Sequence, residues 1–442
     1  MSTAATNLPL SLSPPLPLSG EVPRWPLLLT ALVIGLVIFV TEHDLSISQA
    51  DAFTQTADEM EVTAEGGNFV RRLAFPSLAL LGLVLAYSTK RQPWRINLLL
   101  ALPMGSYLAL AATSYLWSYD PGMTMRRLIV VGCCTVAGVG IARRFSMHEL
   151  CLLTLAIVGP LTLLGLAAEL RLGTFRPWSG DYRFSGSVHP NTQTSYLTAL
   201  ALAALGLARS GSRWKVSLWT IFAASLVLMV LTKSRTGNAA TLAAIASVFL
   251  VQTSLRFKFS AGLAAAWIGL GGLWLLLIAG YDPLVDFHQA LLLGRAEESD
   301  TLSGRSFIWP AVGYFIDQRP WLGYGFEAFW NPTHVETISE EVGWGLREAH
   351  NGYLEMLLSL GIVGLGLALA TVAAGVAAAV RGGVKLRDPA YSLPLGMLVY
   401  GVLVSAMESG MVIVEFATFL TGVCLLRMAL FEKPVPQVTH DK

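Results

Sequence analysis

Twelve apolar runs divide this chain, near 27 to 40, 73 to 87, 96 to 118, 128 to 142, 150 to 168, 190 to 208, 216 to 232, 236 to 252, 259 to 280, 353 to 380, 392 to 407 and 410 to 426. Runs of this size, set between short charged stretches, match the thickness of a bilayer. Inside hydrocarbon every backbone N–H and C=O must be satisfied within its own segment, so such runs fold as helices. The shorter ones draw on flanking residues or tilt. Only 13% of the 442 residues are charged, against about 25% in a soluble domain, which excludes an ordinary soluble enzyme. The expected class is an all-α polytopic membrane protein of about 12 transmembrane helices. The expected organisation is a disordered cytoplasmic tail (1 to 26), one transmembrane domain (27 to 432) containing a large loop (281 to 349), and a short cytoplasmic tail (433 to 442). The first stretch carries six prolines and no cation before Arg24, so it lacks the basic start of a cleaved signal. Cys133, Cys134, Cys151 and Cys424 fall inside apolar runs without metal-ligand spacing, and read as packing residues.

Twelve crossings put both termini on one side, and the cations say which side. With the N-terminus cytoplasmic, that face receives 17 Lys and Arg against five Asp and Glu, and the remainder of the chain holds 13 against 24. The split is +12 to −11, so the expected orientation is N-in, C-in. The 13 outer cations run against this bias, and 12 of them are arginine: Arg71, Arg72, Arg126, Arg127, Arg171, Arg176, Arg183, Arg235, Arg295, Arg305, Arg319 and Arg347, with Lys233. A planar guanidinium fork suits bidentate phosphate recognition better than an ammonium does. These arginines therefore point to an anionic, phosphorylated ligand, with pairing to the abundant outer acids as the plainer alternative.

The 69-residue loop from 281 to 349 contains twelve aromatic residues, too many for a disordered segment. It should fold on the membrane surface, with a short amphipathic helix over 303 to 317 and a turn over 318 to 325 marked by Pro320, Gly323 and Gly325. An ion-coupled transporter would carry ionisable groups in its spans, but the apolar cores hold only Glu355 and Glu415. Polar residues gather instead at the outer helix ends: YRFSGSVHPN (182 to 191), TKSRTGN (232 to 238), SGRS (303 to 306) and AHNGYLEMLLSLG (349 to 361). His350 stands where the loop enters the tenth span. A helix N-terminus favours the neutral imidazole, which can act as a general base or can simply cap the helix. His189, His288 and His334 sit in contexts that read as structural turns. One histidine base with several arginines, and no DxD, HExxH or carboxylate pair, fits transfer of a sugar from a lipid diphosphate. That leaving group needs charge stabilisation rather than a protonating acid, the attacking hydroxyl needs one base, and no divalent metal or other cofactor is required.

In these four blocks the chain resembles the O-antigen ligase and polymerase superfamily of bacterial membrane glycosyltransferases. RFSGSVHPN is similar to its R-x-x-G…PN stretch, LTKSRTG to its T-x-S-R-[GT] turn, GRSFIWPAVGYFIDQRPWLGYGFEAF to its G-R-x-x-x-W…P-x-x-G-x-G block, and AHNGYLEMLLSLGIVGL to its H-N-x-[YF]-L…G-x-x-G block. The resemblance covers the second half of the chain; residues 1 to 170 match by hydropathy alone. It implies transfer of a glycan from undecaprenyl diphosphate on the periplasmic face. Carried over by position, His350 is the base for the acceptor hydroxyl, Arg235 and Arg305 hold the diphosphate, and Arg183 is a third cation. Lys233, Asn191, Asn351 and Tyr353 are further substrate-binding candidates, with capping or packing as their alternative role. The implied partners are undecaprenyl-diphosphate-linked O-antigen, lipid A-core and membrane lipids, with no nucleic acid. Within the superfamily the ligase is favoured. A polymerase extending another lipid-linked glycan, a protein O-oligosaccharyltransferase (usually longer) and a flippase for lipid-linked sugars are the alternatives.

Overall fold

The structure, a computed structural model, describes residues 25–43, 69–88, 92–180, 182–253, 305–342, 346, 348–410 and 414–431. The expected run at 259 to 280, the loop from 281 to 304, the tails at 1 to 24 and 433 to 442, and Arg295 and Arg347 lie outside these residues. Among the described residues the fold is all-helical: α1 (Trp25–Glu42), α2 (Phe69–Ala86), α3 (Leu98–Thr113), α4 (Pro121–Arg144), α5 (Met147–Leu172), α6 (Pro190–Arg209), α7 (Lys215–Leu231), α8 (Arg235–Gln252), α9 (Arg305–Gln318), α10 (Pro332–Val342), α11 (Gly352–Lys385), α12 (Ser392–Val404) and α13 (Phe416–Leu430). A helix therefore stands at each apolar run outside 259 to 280. Among the described residues, five helical stretches are long and apolar enough to cross a membrane: Trp25–Glu42, Leu98–Leu116, Pro121–Arg144, Met147–Leu172 and Gly352–Lys385. Shorter apolar helices accompany them at Arg72–Ala86, Lys215–Leu231, Pro389–Val404 and Phe416–Leu430.

α6 is buried on all sides and packs against α5, α7, α8, α12 and α13. Many of its buried residues are small or hydroxylic, which lets neighbouring backbones approach and side chains bond across. Thr194 meets Thr232 at 2.8 Å and Thr198 meets Thr241 of α8 at 2.6 Å.

Helix ends sort into two opposite layers. In one, Arg143 donates to the Ala86 carbonyl, Arg427 to Ala142, Arg95 pairs its backbone with Leu430, and Arg209 donates to Gln252. This is the arginine-rich layer assigned to the cytoplasm by charge. In the other layer lie the end of α1, the starts of α6 and α11 and the 405–410 segment. They are tied by Asn191 to Glu408 at 2.8 Å and by the Gly352 N–H to the Ser405 carbonyl at 2.8 Å.

α9, running Arg305–Gln318 where a helix over 303 to 317 was expected, forms a small unit with α10. Its core joins Ile308, Val312, Tyr324, Phe329 and Ile338 to Leu358 of α11. Burial holds the imidazole of His334 below its usual value, opposed by the hydrogen bond its Nδ1–H donates to the Phe329 carbonyl. Burial raises the Glu327 carboxyl, while Arg127, 3.2 Å away, acts in the opposite direction.

α11 contains a break. Gly361 adopts φ 64, ψ −164, a region open only to glycine. The turn after α9 docks there: the N–H groups of Tyr324 and Gly325 donate to Leu358 and Ser359, and Ile362 donates back to Pro320. A Cβ on Gly361 would stand 2.3 Å from the Trp321 carbonyl oxygen. This is the physical reason the P-W-L-G-Y-G turn and the L-G of α11 occur as distant parts of one pattern.

Candidate active site

Three segments from the second layer converge on one cavity of about 920 Å³. The first, residues 182–191, is shaped by Glu169 near the end of α5. That buried carboxylate accepts from the Tyr182 hydroxyl (2.5 Å), the Ser185 N–H (3.0 Å) and the Gly186 N–H (2.8 Å). Burial, then the bond to Glu169, pushes the Tyr182 phenol well up, so it stays a donor. His43, following α1, meets Ser187 at 2.7 Å, and burial lowers its pKa to about 4. His189 caps α6 by accepting the Asn191 N–H, with Pro190 in the first helical position, where its missing N–H costs nothing. On this braced loop Arg183 donates from Nε to the Thr232 carbonyl (3.0 Å) and from Nη2 to Asn191 Oδ1 (3.2 Å). Asn191 in turn donates to Glu408.

The second segment is the turn between α7 and α8. Ser234, Arg235 and Thr236 line the cavity, and Arg235 opens α8. Gly237 allows this turn to lie against α6, because a Cβ there would stand 2.7 Å from Thr194 Cγ2. The third segment is the entry to α11. Asn351 caps the helix by accepting the N–H groups of Tyr353 (3.0 Å) and Leu354 (3.2 Å), and donates to the Ala406 carbonyl. Tyr353's hydroxyl donates to Val402 at 2.6 Å. Glu355 accepts from the Ala349 N–H and the Trp330 indole. The residue held between these anchors, His350, takes φ 49, a left-handed backbone uncommon outside glycine.

Arg183, Arg235, Asn191 and His350 thus share the cavity. Asn351 and Tyr353 stand beside it as helix anchors, and Lys233 donates Nζ to the Gly180 carbonyl from a left-handed turn of its own (φ 51). Arg305 is the first residue of α9. His189 lines the cavity as well as capping α6, and Cys134 lines its wall. Two carboxylates that sequence reasoning left out, Glu348 and Glu408, also line it, together with Glu415, which the sequence marked only as an ionisable group in an apolar run. Glu348 Oε1 lies 3.1 Å from His350 Nδ1. The only signal the sequence offers for Glu348 is the E-A-H spacing, which is too short for a helical pair. Among the described residues no three His, Cys, Asp or Glu come together as a metal cage. Beyond the polar rim the wall becomes apolar, with Met104, Val131, Val372, Leu398, Leu425 and Leu426.

The cavity can therefore hold a ligand with an anionic part beside two guanidinium groups, a hydroxyl beside an imidazole, and an apolar part among the helices. Residues 220–369 match the model of the O-antigen ligase family, a stretch that holds Arg235, Arg305 and His350 but not Arg183 or Glu408. The exopolysaccharide production protein ExoQ of Rhizobium meliloti (strain 1021) is 23% identical over 278 residues, which make up 59% of this chain and 61% of that protein. The similarity thus spans less than two thirds of that relative's length. Residues 220–369 are thus similar to the O-antigen ligase family, in a chain whose described residues include several helices long and apolar enough to cross a membrane.

Proposed function

We propose that the protein transfers O-antigen polysaccharide from undecaprenyl diphosphate to a sugar hydroxyl of lipid A-core at the periplasmic face of the inner membrane, completing lipopolysaccharide. The observation that supports this most directly is the meeting of Arg183, Arg235 and His350, from three distant parts of the chain, around one cavity with a polar rim and an apolar wall. In the proposed step His350 takes the proton of the acceptor hydroxyl as the oxygen attacks the anomeric carbon. The bond from that carbon to the diphosphate oxygen breaks, and the lipid diphosphate departs with the electron pair. Arg183 and Arg235, with Arg305 from the start of α9, stabilise the charge that develops on it. A single in-line displacement inverts the anomeric centre. No step calls for a metal, so transfer should proceed in EDTA.

The second reading, an exopolysaccharide or O-antigen polymerase using the same donor, is favoured by the similarity to a protein of exopolysaccharide production. The two differ only in acceptor. Purified protein supplied with lipid-linked glycan and EDTA, with or without lipid A-core, should yield the joined product only when lipid A-core is present; chain growth without it selects the polymerase. In the same assay His350→Ala should lower turnover by about 10² to 10⁴ while the protein still inserts and elutes as wild type. Retained turnover rejects the general-base role.

A further inference from the structure

A histidine that accepts a proton through one ring nitrogen must hold its own proton on the other, and what binds that second nitrogen sets the tautomer. His350 Nδ1 lies 3.1 Å from Glu348 Oε1, and both side chains are about a third exposed (28% and 33%). Chance contact between two residues so close in sequence would leave the intervening residue free to turn. Here it is fixed. Ala349 is fully buried, its N–H is bound by the Glu355 carboxylate and its carbonyl accepts from Trp309 Nε1 at 3.1 Å. On the other side Asn351 locks the first turn of α11. With Ala349 and Asn351 pinned, the left-handed φ of His350 places its ring and the Glu348 carboxylate together on the cavity wall.

We propose that Glu348 is a positioning residue of the transfer reaction. Its carboxylate, at ion-pair distance from Nδ1, favours the proton on that nitrogen of His350, leaves Nε2 unprotonated, and stabilises the imidazolium formed when Nε2 takes the acceptor's proton. The proposal rests on the reading of His350 as the general base. Other ionisable groups lining the same cavity are Tyr107 of α3, Cys134 of α4, Arg183 and His189 before α6, Arg235 at the start of α8, Tyr400 of α12, and Glu408 and Glu415 between α12 and α13. The arginines lower the proton affinity of the ring and the carboxylates raise it, with Glu348 at contact distance.

The test uses full-length protein in nanodiscs, labelled with ¹⁵N-histidine, with the His350 signal assigned by its loss in His350→Ala. The wild type should show an Nδ1-protonated neutral ring. Glu348→Gln should lower its titration midpoint by about one pH unit, move the acid limb of the kcat profile by the same amount, and reduce kcat about tenfold with the donor KM unchanged. Glu348→Asp should recover part of both shifts, which separates a charge effect from misfolding. An unmoved midpoint and acid limb in Glu348→Gln overturns the positioning role while leaving His350 as base. Full activity in His350→Ala overturns both.

Discussion

At the scale of single residues, the site was legible where a charge stood out of place. In a chain with so few ionisable groups, Arg183, Arg235 and His350 were conspicuous on the outer side, and all three line the cavity. Lys233 shares the same short motif, yet a left-handed φ turns its ammonium to the Gly180 carbonyl. Motif membership does not record which way a turn aims each side chain. Glu348 and Glu408 were hidden for the opposite reason. Acids are common on the outer side, and nothing in E-A-H or in the 405–410 segment marks them until Ala349 is pinned and Asn191 reaches across from α6. This contrast gives a paired prediction. Arg235→Lys keeps the charge but loses the fork, so turnover should fall by about 10². Lys233→Met, acting at an exposed carbonyl contact, should leave it within about twofold. Equal losses in a transfer assay would mean that charge alone, spread over the turn, is what matters.

At the scale of elements, the apolar runs located helices well, since spanning length and backbone self-satisfaction leave few choices. What they could not show was a break inside a continuous run. The stretch from 353 to 380 reads as one helix, and its departure at Gly361 is dictated by a turn some forty residues earlier in the chain that inserts its backbone at Leu358 and Ser359. Gly361→Ala must force a side chain into a glycine-only conformation and against the Trp321 carbonyl. It should destabilise the docked turn by about 1–3 kcal/mol or more. Faster proteolysis between α9 and α10, with α11 still inserted, would report this; unchanged protease resistance would show that the turn does not depend on the break. Because α11's first turns carry His350's anchor Glu355 and the docking carbonyls alike, activity should fall in the same variant.

At the scale of the whole molecule, sorting charges by side gave two unequal faces; among the described residues Arg95, Arg143, Arg209 and Arg427 bond within one layer of helix ends, and Arg183 and Arg235 stand in the other. Which layer faces the cytoplasm is a matter of insertion, and labelling reads it directly. A membrane-impermeant maleimide should modify Thr337→Cys, exposed on α10, in cells with a permeabilised outer membrane, and Arg213→Cys, exposed between α6 and α7, only after lysis. The reverse pattern inverts the orientation. The cavity extends from the arginines of one layer to Leu426, the residue before Arg427 of the other. On the proposed function, a ligand that fills it is an amphiphile dissolved in the bilayer, so enzyme and substrate meet by diffusion in a plane. What sets the rate is then the number of substrate molecules per lipid, and diluting the membrane with inert phospholipid slows the reaction even when every concentration per litre is held constant.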